Sequence, residues 1–337
     1  MNSDSVSRFR KEMDTVEDSG TFGLSPAKGR MRVQLGWGFV LLFSVIMYGS
    51  HAPLIGLCKV DGRVPFSSTS VVVLVELVKL SVSSMLLLAQ ARGSFASCST
   101  ISFRAALPFA VPAALYAINN NLVVHMQHHM DPVTFQVLSN LKIAATAAFY
   151  SLLLRQWLPA RKWLALFLLM AAGACHTDAM RGQPGEEELV AHTRPYITPL
   201  GALAMVAYCS ISGLSAAYTE RTLKSQPLPL SLQNLFLYTF GVIVNSITHA
   251  ASSPATSFFK GYSIWVAVII VTQALNGLLM SVVMKYDSNI TRLFVISCSM
   301  LINAALSVLL FNLQLTPLFF VAVGLICIAV RLYYRVR

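Results

Sequence analysis

Lys142 lies inside a run that is otherwise apolar or small. Between positions 132 and 154, polarity concentrates in Ser139-Asn140-Leu141-Lys142. A cation at bilayer depth costs roughly 2.5–3.5 kcal/mol even on insertion-derived scales, so it faces a wet cavity or a partner. Lys285 closes a second apolar run. Two ammonium groups lining one water-filled cavity would suit a doubly charged, phosphate-bearing solute, because lysine is a compact cation with rotatable donors.

Other polar residues sit in equally apolar surroundings. Glu76 and Lys79 are three apart, on one face of a helix. They read as an internal ion pair that fixes packing or gating, since removing one partner of a buried pair is strongly destabilising. Tyr116 precedes the amide run Asn119-Asn120-Asn121 deep in another apolar stretch. Three consecutive amides cannot all face lipid, so some face protein or a cavity. An aromatic face stacks on a nucleobase and amides read its edge; hydrogen bonding between helices is the other use. Asn234 and Tyr238, four apart, put an amide and a phenol on one further helix face. His125, His128 and His129 have spacings that suit a metal, but no cysteine or carboxylate cluster completes them beyond Asp131, so no metal site is expected. The sequon Asn289-Ile290-Thr291 abuts an apolar run on the expected cytosolic side and should stay unmodified.

These residues must be positioned by helices in a membrane. Of 337 residues, 55% are hydrophobic and 12% charged, against about 25% charged in soluble domains. The mean hydropathy is +0.64. Ten runs approach the roughly 20 residues of a transmembrane helix: 33–56, 66–90, 105–124, 132–154, 161–177, 196–218, 231–250, 263–284, 292–312 and 315–333. They lack the two-residue alternation of membrane strands. The expected fold is therefore an all-α integral membrane protein. A polar tail of about 32 residues, expected to be disordered, precedes the first run, which is too long for a signal peptide.

The net charge of +11 is a topology signal. An even number of spans puts both termini on one side. That side collects most of the basic residues, among them Arg8, Arg10, Lys11, Lys28, Arg155, Arg161, Lys162, Arg221, Lys224, Arg292 and Arg331. The other side holds Lys59, Arg63, Arg181, Arg194 and Lys260. The positive-inside rule then makes both termini cytosolic, and nucleic-acid binding is not expected. The six cysteines form no C-x-x-C pair and read as small packing residues. There is no G-x-x-x-x-G-K-[ST] or G-x-S-x-G run and no soluble domain to house an enzyme. Transporter, channel, membrane-embedded enzyme and receptor remain; the enzyme would want paired acids or an aspartate cluster in a loop, and none is present.

The polar loop at 178–195, with Glu186-Glu187-Glu188, divides the runs five and five. Ala117-Ile118-Asn119-Asn120 is echoed by Ala274-Leu275-Asn276-Gly277. An odd-numbered repeat must insert upside down, and inverted repeats put the substrate site at the midplane between halves.

Taken together, Tyr116 to Asn121, Phe135-Gln136-Val137, Asn140 to Ile143, Tyr218 to Lys224, Gln233-Asn234 with Tyr238 and Gly241, Phe258 to Tyr262, and Ser281 to Tyr286 with Asn289-Ile290 resemble the nucleotide-sugar transporters. These form a branch of the drug/metabolite transporter superfamily, and the subfamily is that of the CMP-sialic acid and UDP-galactose transporters. The resemblance implies ten transmembrane helices in an inverted five-plus-five repeat, with a cytosolic tail 1–32, repeats 33–177 and 196–333, a luminal loop 178–195 and a cytosolic end 334–337. It implies a multi-pass Golgi protein exchanging a cytosolic pyrimidine nucleotide sugar for luminal nucleoside monophosphate, with no cofactor and no catalysis. By matching position, Lys142 and Lys285 contact phosphate, while Tyr116, Asn119, Asn120, Asn234 and Tyr238 line the nucleotide pocket. The Glu76–Lys79 pair matches a family feature. Homo- or hetero-oligomers with related transporters are compatible with it.

The chain departs from the family pattern at Phe135, Ser139, Phe236, Phe240 and Asn276-Gly277. These changes leave the phosphate contacts in place and bear on sugar and base, so CDP-linked alditols such as CDP-ribitol stand beside UDP-sugars. They also keep one rival in view, a non-transporting scaffold or regulator of related transporters.

Overall fold

The computed structural model describes residues 26–60, 64–91, 103–126, 129–179, 196–252, 258–311 and 316–334. Among them the chain is helical, with one isolated bridge between Met130 and Ile197. The helices are α1 (Pro26–Gly49), α2 (His51–Cys58), α3 (Ser68–Ala91), α4 (Phe103–Ala106), α5 (Ala110–Met126), α6 (Pro132–Ser139), α7 (Lys142–Leu154), α8 (Ala160–Ala179), α9 (Pro199–Ser225), α10 (Leu230–Ser252), α11 (Ile264–Tyr286), α12 (Asn289–Phe311) and α13 (Pro317–Tyr334).

Every apolar run read from the sequence falls on helix. Eight helical stretches among the described residues are long and apolar enough to cross a membrane, α1–α2 and α6–α7 each counting as one. Two helices fall short. α5 has 17 residues, and α8 carries Arg161, Lys162, His176 and Asp178 near its ends, which lowers its mean hydropathy. The chain is a multi-pass membrane protein.

Two spans are interrupted. α1 ends at Gly49 and α2 starts at His51, just before Pro53, whose ring removes a helical donor. The fourth span tightens where the sequence predicts one straight helix. Asn140 N–H donates to the Val137 carbonyl, Leu141 N–H to Leu138 and Ile143 N–H to Asn140, all three residues apart. Such a 3₁₀ turn inside a helix commonly marks a hinge, and Lys142 is the first residue beyond it.

The fourth and sixth spans are tied at their starts. Asp131 caps α6 by accepting from Thr134 N–H, with Pro132 at the first helical position, and Thr198 caps α9 by accepting from Gly201 N–H. Asp131 also accepts from Tyr196 N–H at 2.9 Å. Burial alone would push its carboxyl up, yet the hydrogen bonds from Thr134 and Tyr196 hold it below the ordinary 3.8. This stabilisation is complete above the ordinary aspartate value and is lost only as pH falls through the depressed native one. Asp131→Ala is expected to cost roughly 1–2 kcal/mol, read as a lower melting temperature in detergent at pH 7. In wild type the melting temperature should hold through mildly acidic pH; a drop already at pH 6 would reject this role.

Packing is pairwise. α8 lies on α13 and α3 on α10. α9 packs on α7 and α5, and α12 and α11 both pack on α1; α11 also packs on α3, and α10 on α5. One apolar cluster joins α7, α8, α12 and α13 around Leu166, Leu169, Ile290 and Phe294. A second joins Met126 and Met130 to Met205 and Tyr208 of α9. A third sets α2 and α3 against Ile269 of α11.

Candidate functional site

Between these helix pairs lies a cavity of about 470 Å³, within the roughly 300–1,000 Å³ of small-molecule sites. Each helix contributes one face, at spacings of three and four. α3 supplies Ser68, Val72, Glu76 and Lys79; α10 supplies Tyr238, Gly241 and Asn245; α11 supplies Gln273, Asn276, Gly277 and Ser281. His51 comes from α2, Tyr116 and Asn120 from α5, Thr219 from α9 and Arg292 from α12. From Gln273 to Met284 the lining follows about 16 Å of α11, at 1.5 Å per residue.

One end is framed where α3 begins. Thr69 bonds His249 of α10 at 2.8 Å and Ser70 bonds Tyr262 just before α11 at 3.0 Å. Ser68, His51, Gln273 and Asn245 line the cavity near this end, with Gln273 Nε2 2.7 Å from the His51 ring. The other end lies where α11 gives way to α12, at Met284 and Arg292.

The expected pair forms midway: Lys79 Nζ donates to Glu76 Oε1 at 2.6 Å. The ammonium also sits over the Tyr238 ring, 4.4 Å from its centroid, a cation–π contact. Tyr238 in turn bonds Ser281 Oγ at 2.8 Å. Two glycines make room for the pair. A Cβ on Gly241 would stand 2.7 Å from Glu76 Oε2, and one on Gly277 would stand 2.8 Å from Lys79 Cδ.

Of the residues singled out from sequence, Glu76, Lys79, Tyr116, Asn120 and Tyr238 come together on the cavity wall. Asn119 and Asn234 do not line it; both are buried, each with an amide oxygen lacking a hydrogen-bond partner among the described residues. Lys142 and Lys285 are likewise not on this wall. Lys285 Nζ donates to the Leu228 carbonyl at 2.8 Å, in the link between α9 and α10, and approaches Gln233 Oε1 at 3.3 Å. Lys142 is the first residue of α7, next to the tightened turn of the fourth span.

Arg292 was missed. From sequence it counts with the terminal-side loops, ahead of a span starting at 292. The structure starts α12 at Asn289, one turn earlier. Ser288 Oγ accepts from Thr291 N–H, and the buried Glu220 of α9 accepts from Asn289 N–H at 2.7 Å. That extra turn carries Arg292 into the bundle. Glu220 also accepts from Lys224 Nζ at 2.5 Å, and Lys224 bonds the Asp287 carbonyl. Burial pushes the Asp287 carboxyl above its usual range, although the Thr291 hydroxyl and Lys224 oppose that. Asn276 and Ser281 were noted from sequence without a role; the missed signals were Gln273, which shares their face of α11, and an arginine flanked by Ile290, Leu293 and Phe294.

The family departures do not block the cavity. Phe236 and Phe240 pack on the Phe109, Leu223 and Met284 cluster, and Phe135 packs on Tyr208 with ring centroids 5.7 Å apart. Ser139 Oγ bonds the Gln136 carbonyl. His129 is hydrogen-bonded to Thr198, Asp131 is occupied as a cap, and His128 and Cys98 lie outside the described residues. Among the described residues no group of histidine, cysteine and acids could hold a metal. Asn289 of the sequon is fully buried.

A multi-helix membrane protein with a largely apolar cavity carrying a few polar and charged groups between its helices has the build of a solute carrier. The nucleotide-sugar transporter family profile matches residues 43–334, and the chain belongs to that family. It is 55% identical to the probable UDP-sugar transporter protein SLC35A4 of Xenopus tropicalis over 313 residues, 93% of this chain and 96% of that protein. Identity to the protein of the same name from Homo sapiens is 51%, covering 96% of this chain and all of that one. For Danio rerio it is 52%, covering 92% and 97%. A solved crystal structure only 11% identical superposes with a TM-score of 0.65, covering 88% of this chain and 96% of its own, and so shares the fold.

Proposed function

We propose that this nucleotide-sugar transporter is a Golgi antiporter with both termini cytosolic, exchanging a cytosolic pyrimidine nucleotide sugar for luminal nucleoside monophosphate. UDP-sugars and CMP- or CDP-linked sugars or alditols, CDP-ribitol among them, are the substrate class. The observation that carries this reading is the cavity itself, with aromatic and amide groups (Tyr116, Asn120, Tyr238) set against cationic ones. Stacking and edge recognition suit the base, and cations suit the phosphates. The names of the relatives favour UDP-sugars.

Ten membrane spans in an inverted five-plus-five repeat underlie it, bounded at 33–177 and 196–333. The packing supports this. Exchanging the first five helical units for the last five turns α9 on α7 into α1 on α12, α9 on α5 into α1 on α11, and α11 on α3 into α5 on α10. Close approaches follow the same exchange: Gly49 of α1 meets the Ser299 carbonyl of α12, and Gly213 of α9 meets the Ala145 backbone of α7.

Lys142 and Lys285 remain the proposed phosphate ligands of the cycle. Lys285 must first leave the Leu228 carbonyl. Obligatory exchange follows if these ammonium groups are uncomfortable in an occluded, empty site. Proteoliposomes preloaded with UMP or CMP should take up labelled nucleotide sugar, and empty ones very little. Lys142→Ala or Lys285→Ala should lower exchange roughly 10–100-fold, the worth of one charged hydrogen bond. Equal uptake into empty vesicles would reject antiport, and unchanged exchange in the variants would reject the lysine assignment. A scaffold would give no thermal stabilisation with any nucleotide, whereas a binder at 100-fold excess over Kd gains about 2.7 kcal/mol.

A further inference from the structure

We propose that Arg292 is a phosphate-recognising residue of the cavity wall, acting in addition to the two lysines, and that it helps the carrier tell a nucleotide from a nucleoside. Three observations place it there. Its side chain lines the cavity at the α11–α12 end, opposite the His51, Gln273 and Asn245 cluster. It is the net charge of that wall among the described residues, because the other two charged lining residues, Glu76 and Lys79, neutralise each other at 2.6 Å. Its donors are not used up. Nε is buried with no hydrogen-bond partner, Nη1 makes a 3.4 Å contact with Asn289 Oδ1, and no carboxylate pairs with it among the described residues.

A buried guanidinium nitrogen without an acceptor is costly unless a ligand supplies one. The guanidinium fork matches two phosphate oxygens at once, which a lysine cannot do. Such a site recognises the phosphate common to a nucleotide sugar and a nucleoside monophosphate. It holds both exchange partners by the same group and leaves discrimination between sugars to the far end, some 16 Å of helix away.

The assignment rests on the nucleotide-sugar reading, and one experiment separates the two. Purified full-length protein in detergent is titrated with UMP, CMP, uridine and cytidine, with thermal stabilisation as the readout. Wild type should favour each monophosphate over its nucleoside. Arg292→Gln should weaken UMP and CMP binding about 10–100-fold and leave nucleoside binding as it was. Arg292→Lys, which keeps the charge but loses the fork, should fall between them; it also serves as the test if the glutamine variant does not fold. A monophosphate-to-nucleoside preference unchanged in both variants overturns the assignment while the transporter reading stands. No response of wild type to any nucleotide overturns both.

Discussion

Lys79→Met is expected to destabilise the protein by roughly 3–5 kcal/mol, because it strands Glu76 as a lone charge in the bundle. The two side chains are only 11% and 15% exposed, so water can take over little of the lost partnership. The loss has a second source, since Lys79 also sits over the Tyr238 ring. Glu76 cannot turn away easily, as Gly241 leaves its Oε2 just the space it occupies. The double variant Glu76→Gln/Lys79→Met should recover most of the loss, since replacing both members of a buried pair with neutral groups is often close to neutral. Unfolding in detergent, run as a double-mutant cycle, measures the coupling. Additive effects of the two single substitutions would mean that the cavity solvates each charge independently.

Glu220→Ala should do similar damage, again roughly 3–5 kcal/mol, at a residue that the sequence marked as part of a family motif without giving it a role. Glu220 is fully buried on α9 and holds two donors from outside its own turn: the Asn289 N–H that begins α12 and the Lys224 ammonium that ties down the Asp287 carbonyl. Without it a backbone donor is orphaned and a cation loses its counter-charge. Glu220→Gln keeps one acceptor but turns its amide nitrogen on the other donor, so its cost should be intermediate. Because Arg292 sits one turn beyond Asn289, Glu220→Ala is also expected to weaken monophosphate binding when measured well below its own melting temperature. Full retention of that binding would show that α12 is held by its apolar contacts alone.

Much of this protein follows from local chemistry. Runs of apolar residues in a solvent without water must close their own backbone hydrogen bonds, so each becomes a helix wherever it sits; the runs therefore marked the helices, although α1 starts at Pro26, inside the tail expected to be disordered, and α9 continues to Ser225, past the expected end at 218. The Glu76–Lys79 pair was legible because both members share one helix, where a spacing of three fixes their contact. Asp131-Pro132 and Thr198-Pro199 announce their own helix starts for the same reason. Arrangements between helices were not legible. Lys285 and Arg292 lie on adjoining helices, yet one turns to the Leu228 carbonyl and the other into the cavity. Between them α12 begins at Asn289, whose N–H is accepted by Glu220, a carboxylate 69 residues earlier in the chain, a contact that local spacing does not announce. Asn119 and Asn120 are neighbours on α5, and only the second reaches the cavity wall, because successive helical side chains point about 100° apart and the packing of α5 on α9 and α10 selects which one faces in. Composition and the placement of apolar runs thus determine that a helical multi-pass membrane protein forms and roughly where its helices run. Which polar groups meet the solute is decided only when those helices, turned about their axes by packing, close around a common space.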